Sequence, residues 1–397
     1  MSDPLSTMPN RKLRIGIDAS WACGNLTGTG RFTHDLTESL TKLDSSNTYF
    51  LYFRECCKTS NPLYSINQKN VLKRVIHSKS RIFRILLPLS FQLRRDSIDV
   101  FLSTAYFLPL FGSKKWIVTF FDFNIFWLAR EWSRPGTIKG LMLMRLLFPI
   151  SIRKADHIVT ISLATQNDLR HFFPQAGDKS SVIYPGVNMN LDENAERDKM
   201  NVRKSHEASP FFLYVGDLSP TKNLERFIWA FSNFKKHDQR QFKFLFVGKD
   251  VAGYLKTKLY PLTKSLRLEE FIEFCGYVSN EHLVELYSGA TCLVYASLRE
   301  GFGYPIVEAM HYGLPVITSN ISSCPEVGGD AALYVNPSSI EELSLAMNRI
   351  TQDESLRREL AARGRDRVRL FSVQAMATQY LSLLNRIGVG RIIGNDA

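Results

Sequence analysis

The sequence predicts an α/β protein built from two Rossmann-like domains, each with a parallel sheet. Three observations lead there. The chain has 397 residues, and single domains usually hold about 100–200. Short β-like runs alternate with helical stretches, which implies parallel sheets covered by helices. The alternation stops at a polar segment and then restarts.

The first half opens with residues 13–19 (LRIGIDA), then a glycine-bearing loop, then a helix expected from Arg31. Further β-like runs are 49–53 (YFLYF), 99–103 (DVFLS), 116–121 (WIVTFF), 157–162 (HIVTIS) and 181–184 (SVIY). This is a first domain over residues 1–190. Residues 191–209 (LDENAERDKMNVRKSHEAS) are charged and aperiodic and read as the linker. A second domain follows over 210–375. Its strands are expected at 211–216, 242–248, 271–278, 291–296, 315–319 and 332–335, with helical 224–234 and 281–287 between them. From Glu354 a long helical tail is expected, with residues 376–397 crossing back to the first domain. Two such domains facing each other would make a nucleotide cleft, because open sheets bind ligands beyond the carboxyl ends of their strands.

Composition narrows the function. A hydrophobic fraction of 45% is that of a globular chain. No apolar run reaches the roughly 18 residues of a membrane span, and no secretory signal is visible. The six cysteines form no zinc-ligand spacing, which suits free thiols in a reducing compartment; the expected location is the cytoplasm. The net charge of +12 falls entirely in residues 1–190, and residues 191–397 are balanced. That asymmetry calls for an anionic partner. The basic segments lack a recognised nucleic-acid module, so nucleic acid is not expected.

Three stretches carry chemistry. In residues 297–308 (SLREGFGYPIVE), Glu300 lies in a loop after a strand, Gly301 and Gly303 permit close backbone approach, and Pro305 opens a helix that holds Glu308. Helix N-termini suit phosphate, and ionised carboxylates accept strong hydrogen bonds from hydroxyls. A sugar or ribose on a diphosphate matches both. The plainer alternative makes Glu308 a helix-dipole partner and Glu300 a solvated charge. In residues 216–223 (GDLSPTKN), Lys222 sits at a strand–helix junction where the dipole favours phosphate; the alternative is a surface lysine with Ser219 or Thr221 capping the helix. Residues 28–31 (GTGR) put a glycine pair before a helix, which alone is more often a turn.

Together these stretches resemble the retaining glycosyltransferases of family 4, also called group 1, which have the GT-B fold. The matching elements include 28–31, ADHIVTIS (155–162), VIYPGVN (182–188), VGDLSPTKNLE (215–225), FVGKD (246–250), EGFGYPIVEAM (300–310) and PEVGGDAALYV (325–335). Glu300 and Glu308 have the spacing of the family's Glu-x7-Glu motif. The resemblance implies that Lys222 holds the donor diphosphate, with Gly216 and Asn223 in the same loop. It implies that Glu308 binds the ribose, that Glu300 with the backbone of Gly301, Phe302 and Gly303 holds the sugar, that Gly30 lies near the phosphates, and that Tyr277 lies near the base.

Two positions depart from the family pattern. Asp217 stands where many relatives have arginine, leaving Arg31, Lys249 and Arg299 as candidates for a second phosphate cation. Phe121 stands where many have histidine, before Asp122, which is expected to position an acceptor hydroxyl. No D-x-D triplet occurs, so no metal and no other cofactor is expected. Similar enzymes neutralise the leaving group with lysine and helix dipoles and are thought to react on one face of the sugar.

Within the family, VGDLSPTKNLE, FVGKD, GYVSNEHL and SSCPEVGGDAAL resemble bacterial polysaccharide and O-antigen mannosyltransferases, which implies GDP-mannose as donor and a glycan or lipid-linked acceptor. The alternatives are a UDP-sugar enzyme of the same fold and a non-catalytic relative. A Rossmann oxidoreductase is disfavoured because the full dinucleotide fingerprint is missing.

The basic excess points to an anionic membrane surface at its cytoplasmic face; the plainer alternative packs the apolar residues inside the domain and leaves the charges solvated. Between Glu55 and Asp96 there is no acidic residue, while Lys73, Arg74, Lys79, Arg81, Arg84, Arg94 and Arg95 interleave with apolar side chains. Pro88 should divide any helix there. A second acid-free stretch, 132–155, carries Arg134, Lys139, Arg145, Arg153 and Lys154.

Overall fold

The computed structural model describes residues 12–24, 28–57, 61–78, 81–127, 135–188, 210–238 and 240–389. The expected linker lies outside them, as do Lys79 and Arg134. The chain forms two compact units: Met1–Gly186 with Val373–Ala397, and Val187–Ser372.

The first unit holds a seven-stranded parallel sheet. Its strands are β1 (Arg14–Asp18), β2 (Thr48–Arg54), β3 (Val71–Ile76), β4 (Ile98–Ser103), β5 (Ser113–Phe120), β6 (His157–Thr160) and β7 (Ser180–Val182), in the order β3-β2-β1-β4-β5-β6-β7. Residues 49–53 of β2 are all buried, as a strand covered on both faces requires. Strand β3 was not expected from the sequence. Its VLKRVI pattern places Lys73 and Arg74 on an edge strand, where charge is tolerated.

Helices differ from expectation in two places, at Gly28 and in the C-terminal tail, and match it at Pro88. The helix Gly28–Leu43 begins at Gly28, so Gly28 and Gly30 lie in its first turn and not in a loop before Arg31. The segment around Pro88 forms two helices, Arg81–Leu86 and Pro88–Arg95, because proline cannot supply the backbone N–H of a continuous helix. The C-terminal tail is not one helix: Glu354–Arg367 is followed by a 3-10 turn, Val368–Phe371, and then Val373–Gly388. This last helix packs within the first unit. Tyr380 Oη is 2.9 Å from Thr119 Oγ1, and its ring meets Phe32 edge-on.

Arg84 is not part of a basic surface. It is fully buried, and its Nη2 donates to both carboxylate oxygens of Asp18 (3.2 and 3.0 Å) and to Ser20 Oγ (2.7 Å). Asp18 ends β1 and accepts from the Ser20 amide. A carboxylate at that buried strand end needs a cation, and Arg84 supplies it. Arg74 is likewise engaged, 3.1 Å from Asp96, and Lys154 donates to Pro109 O beneath the Trp116 ring.

The second unit holds a six-stranded parallel sheet of β8 (Phe211–Val215), β9 (Lys243–Val247), β10 (Ile272–Gly276), β11 (Cys292–Tyr295), β12 (Val316–Ser319) and β13 (Leu333–Val335), in the order β10-β9-β8-β11-β12-β13. The helix Leu224–His237 lays Phe227, Phe231 and Phe234 onto Phe212 and Phe244, the i, i+4, i+7 spacing of one helix face. Chain order reverses direction across β8 and β11, the place where such sheets open a crevice.

Removing one member of a buried ion pair strands the other charge, at a cost of about 3–5 kcal/mol. Arg84→Ala should lose that much stability in urea unfolding, whereas the exposed Arg94→Ala should change by less than about 0.5 kcal/mol.

Candidate active site

The loops after β8 and β11 build the site. The backbone turns sharply after β8 at Gly216 (φ 150°), where a Cβ would lie 2.7 Å from Tyr214 Oη. The chain then passes Asp217, which is exposed, and forms a 3-10 turn, Pro220–Lys222, before the helix Leu224–His237. Ser219 and Thr221 do not cap that helix; their hydroxyls meet each other at 3.1 Å.

Asn223 makes the junction by adopting φ 66°, a left-handed conformation that asparagine tolerates better than most residues. Its Nδ2 donates to Ala296 O (3.0 Å) and Pro337 O (2.7 Å), and its Oδ1 accepts from Arg226 Nη1 (2.8 Å). The amide therefore joins loops of the protein itself.

Lys222 and Glu300 come together. Lys222 Nζ is 2.6 Å from Glu300 Oε1, with side-chain exposures of 20% and 9%. Tyr295 Oη donates to the same oxygen at 2.8 Å. Burial first, and then the charge of Glu300, push the Tyr295 phenol well above its ordinary range, so it keeps its proton and remains a donor. Cys324 is pushed up to about 11 by burial and then by Glu300, which makes it a neutral thiol.

After Glu300, Phe302 is buried against Phe371 and Tyr304. Gly303 adopts φ 105° as the residue before the helix Tyr304–His311, a conformation that side chains rarely reach. Glu308 lies in that helix, 7% exposed, and its Oε2 accepts from Tyr287 Oη at 2.7 Å. Elsewhere in this unit Tyr277 is 61% exposed, and Lys249 is exposed while its carbonyl accepts from Leu218 N. Arg299 is half-buried in the loop that carries Glu300.

The remaining expected residues belong to the first unit. Gly30 is buried and Arg31 half-buried in the first turn of the helix Gly28–Leu43. Asp122 follows β5; its Oδ1 accepts from Asn124 N (2.9 Å) and its Oδ2 from Tyr106 Oη (3.2 Å). Phe121 is buried with its ring 5.0 Å from Phe32, so an apolar side chain fills the histidine position.

Residues 196–367 match the family described as glycosyl transferases group 1, and residues 26–191 match Glycosyltransferase Family 4. The two matches together span most of the chain, which is a glycosyltransferase carrying the domains of both families. It is 28% identical over 268 residues to O-antigen chain mannosyltransferase B of Escherichia coli, covering 67% of this chain and 69% of that protein. It is 31% identical over 223 residues to O-antigen chain mannosyltransferase RfbU of Salmonella typhimurium, covering 56% and 59%. Among solved structures, sucrose-phosphate synthase from Thermosynechococcus elongatus superposes with a TM-score of 0.75 at 20% identity, over 96% of this chain and all of that one; the likeness is one of fold. With its two parallel-sheet units, this glycosyltransferase has the GT-B architecture.

Four partners of the glutamates were missed from sequence: Tyr287, Tyr295, Ser322 and Ser323. Tyr295 ends a buried strand and Tyr287 is a buried residue of the helix Asn280–Gly289, so both pass for core residues. Each unsatisfied buried carbonyl costs about 1–3 kcal/mol. Asn223→Ala, which bares two, should therefore lower the thermal unfolding midpoint clearly; unchanged stability with lost nucleotide affinity would make Asn223 a ligand contact instead.

Proposed function

We propose that the protein transfers mannose from GDP-mannose to a lipid-linked or polysaccharide acceptor, with retention at the anomeric carbon. The observation that carries this reading is the Lys222–Glu300 pair at the reversal point of the second sheet. A cation there suits a diphosphate, and a carboxylate beside it suits the hydroxyls of the attached sugar. The mannosyltransferase relatives favour mannose.

In this reading Lys222 balances the charge that grows on the diphosphate as its bond to the sugar breaks. Glu308 accepts from the ribose hydroxyls, and Glu300 accepts from a sugar hydroxyl. The acceptor oxygen bonds to the anomeric carbon on the face the diphosphate leaves, and the acceptor proton passes to the departing phosphate. Asp122 orients the acceptor hydroxyl.

A charge-assisted hydrogen bond contributes about 1.5–3 kcal/mol. Lys222→Ala should thus weaken GDP and GDP-mannose binding together, by roughly tenfold to a hundredfold in calorimetry. Unchanged affinity and turnover would remove Lys222 from the site. Transfer with UDP-sugars and none with GDP-mannose would overturn the donor.

The same reading places the acceptor at an anionic membrane, at the cytoplasmic face. Among the described residues no helix is long and apolar enough to cross a membrane. The first unit exposes Phe83, Phe91, Arg94 and Arg95 within residues 83–95, and Leu143, Arg145, Leu146, Ile150 and Arg153 within residues 143–153. Apolar side chains flanked by cations suit a lipid interface, and each cation adds about 1 kcal/mol near anionic lipid, screened by salt. The protein should sediment with anionic liposomes at low salt and be released at high salt. Equal, negligible binding to anionic and neutral vesicles would refute the docking while leaving the transferase reading intact.

A further inference from the structure

The hydrogen bonds around Glu300 are lopsided. Both of its side-chain donors, Lys222 Nζ at 2.6 Å and Tyr295 Oη at 2.8 Å, reach Oε1. Among the described residues no hydrogen bond reaches Oε2. Tyr295 is itself fixed: it ends β11, is 3% exposed, and stacks on Tyr214 at 6.1 Å with ring planes 15° apart. Tyr214 Oη in turn donates to Asp217 O (3.0 Å) in the loop that leads to Lys222.

The backbone of Glu300 is held as firmly. Ser322 Oγ accepts from Glu300 N (3.1 Å) and donates to Glu300 O (2.7 Å). Ser322 adopts φ 60°, a left-handed conformation uncommon for serine, and the reciprocal bonds to Glu300 offset it. Ser323 Oγ lies 3.1 Å from the same carbonyl and 2.9 Å from Phe302 O. A carboxylate fixed at its backbone and at one oxygen can present the other in a single direction, which is what a hydroxyl-selecting group requires.

We infer that Tyr295 and Ser322 are positioning residues for Glu300, holding the carboxylate through Oε1 and the backbone so that Oε2 accepts from one hydroxyl of the transferred sugar. The inference rests on the reading that Glu300 meets the sugar. Neither residue touches the substrate.

The test compares Tyr295→Phe and Ser322→Ala in the wild-type and Glu300→Gln backgrounds, with kcat and KM for GDP-mannose and calorimetric Kd for GDP. Each single variant should lower kcat by roughly tenfold to a hundredfold, the scale of misplacing a reacting group, with GDP affinity within about twofold of wild type. Groups that act as a unit are not additive, so neither substitution should lower kcat further once Glu300 is Gln. Ser322 is half-buried in a loop, so Ser322→Ala keeps the test alive if Tyr295→Phe fails to fold. Unchanged kcat, a parallel fall in kcat and GDP affinity, or losses that multiply with Glu300→Gln would overturn the inference. Wild-type turnover in Glu300→Gln alone would overturn the role of Glu300, and the inference with it.

Discussion

The site depends on one charge balance. Glu300 brings a carboxylate to a place where only 9% of its side chain meets solvent, and Lys222 answers it at 2.6 Å. The pair ties two loops that are far apart in sequence, one after β8 and one after β11. In the proposed reading, a diphosphate entering beside Lys222 would compete with Glu300 for the same ammonium. On that reading donor binding is an exchange of anions rather than a simple addition.

The sheet order makes that exchange local. Strands β8 and β11 are neighbours although about eighty residues separate their ends, so their carboxyl-end loops meet. The tyrosines that support the pair are buried in the sheet rather than set on the loops, and Tyr214 and Tyr295 stack across this strand boundary. Rigid elements hold a site more closely than loops do. Both phenols are pushed well above their ordinary range, with burial the largest cause, so neither loses its proton at neutral pH.

Much of the fold was legible because a buried parallel strand writes itself as a continuous apolar run. YFLYF and TCLVYA are such runs. Strand β3 was hidden because an edge strand carries charge, and VLKRVI reads as a basic amphipathic segment. Arg84 misled for the same reason: sequence shows an arginine among isoleucines, and only the fold brings Asp18 to it. At the site, the paired glutamates and Lys222 were visible as motif residues. Asn223 was visible too, yet its amide bonds to Ala296 and Pro337, which no local pattern encodes. Tyr287 and Ser322 act across about twenty residues and Tyr295 across five, and each could equally have been a core or loop residue.

The most direct test of the account is a structure of the protein with GDP-mannose bound. The account predicts a diphosphate oxygen about 2.7–2.9 Å from Lys222 Nζ, the charge-assisted range, and a mannose hydroxyl donating to Glu300 Oε2 while Tyr295 still holds Oε1. A bound donor with its diphosphate away from Lys222, or with its sugar away from Glu300, would contradict it.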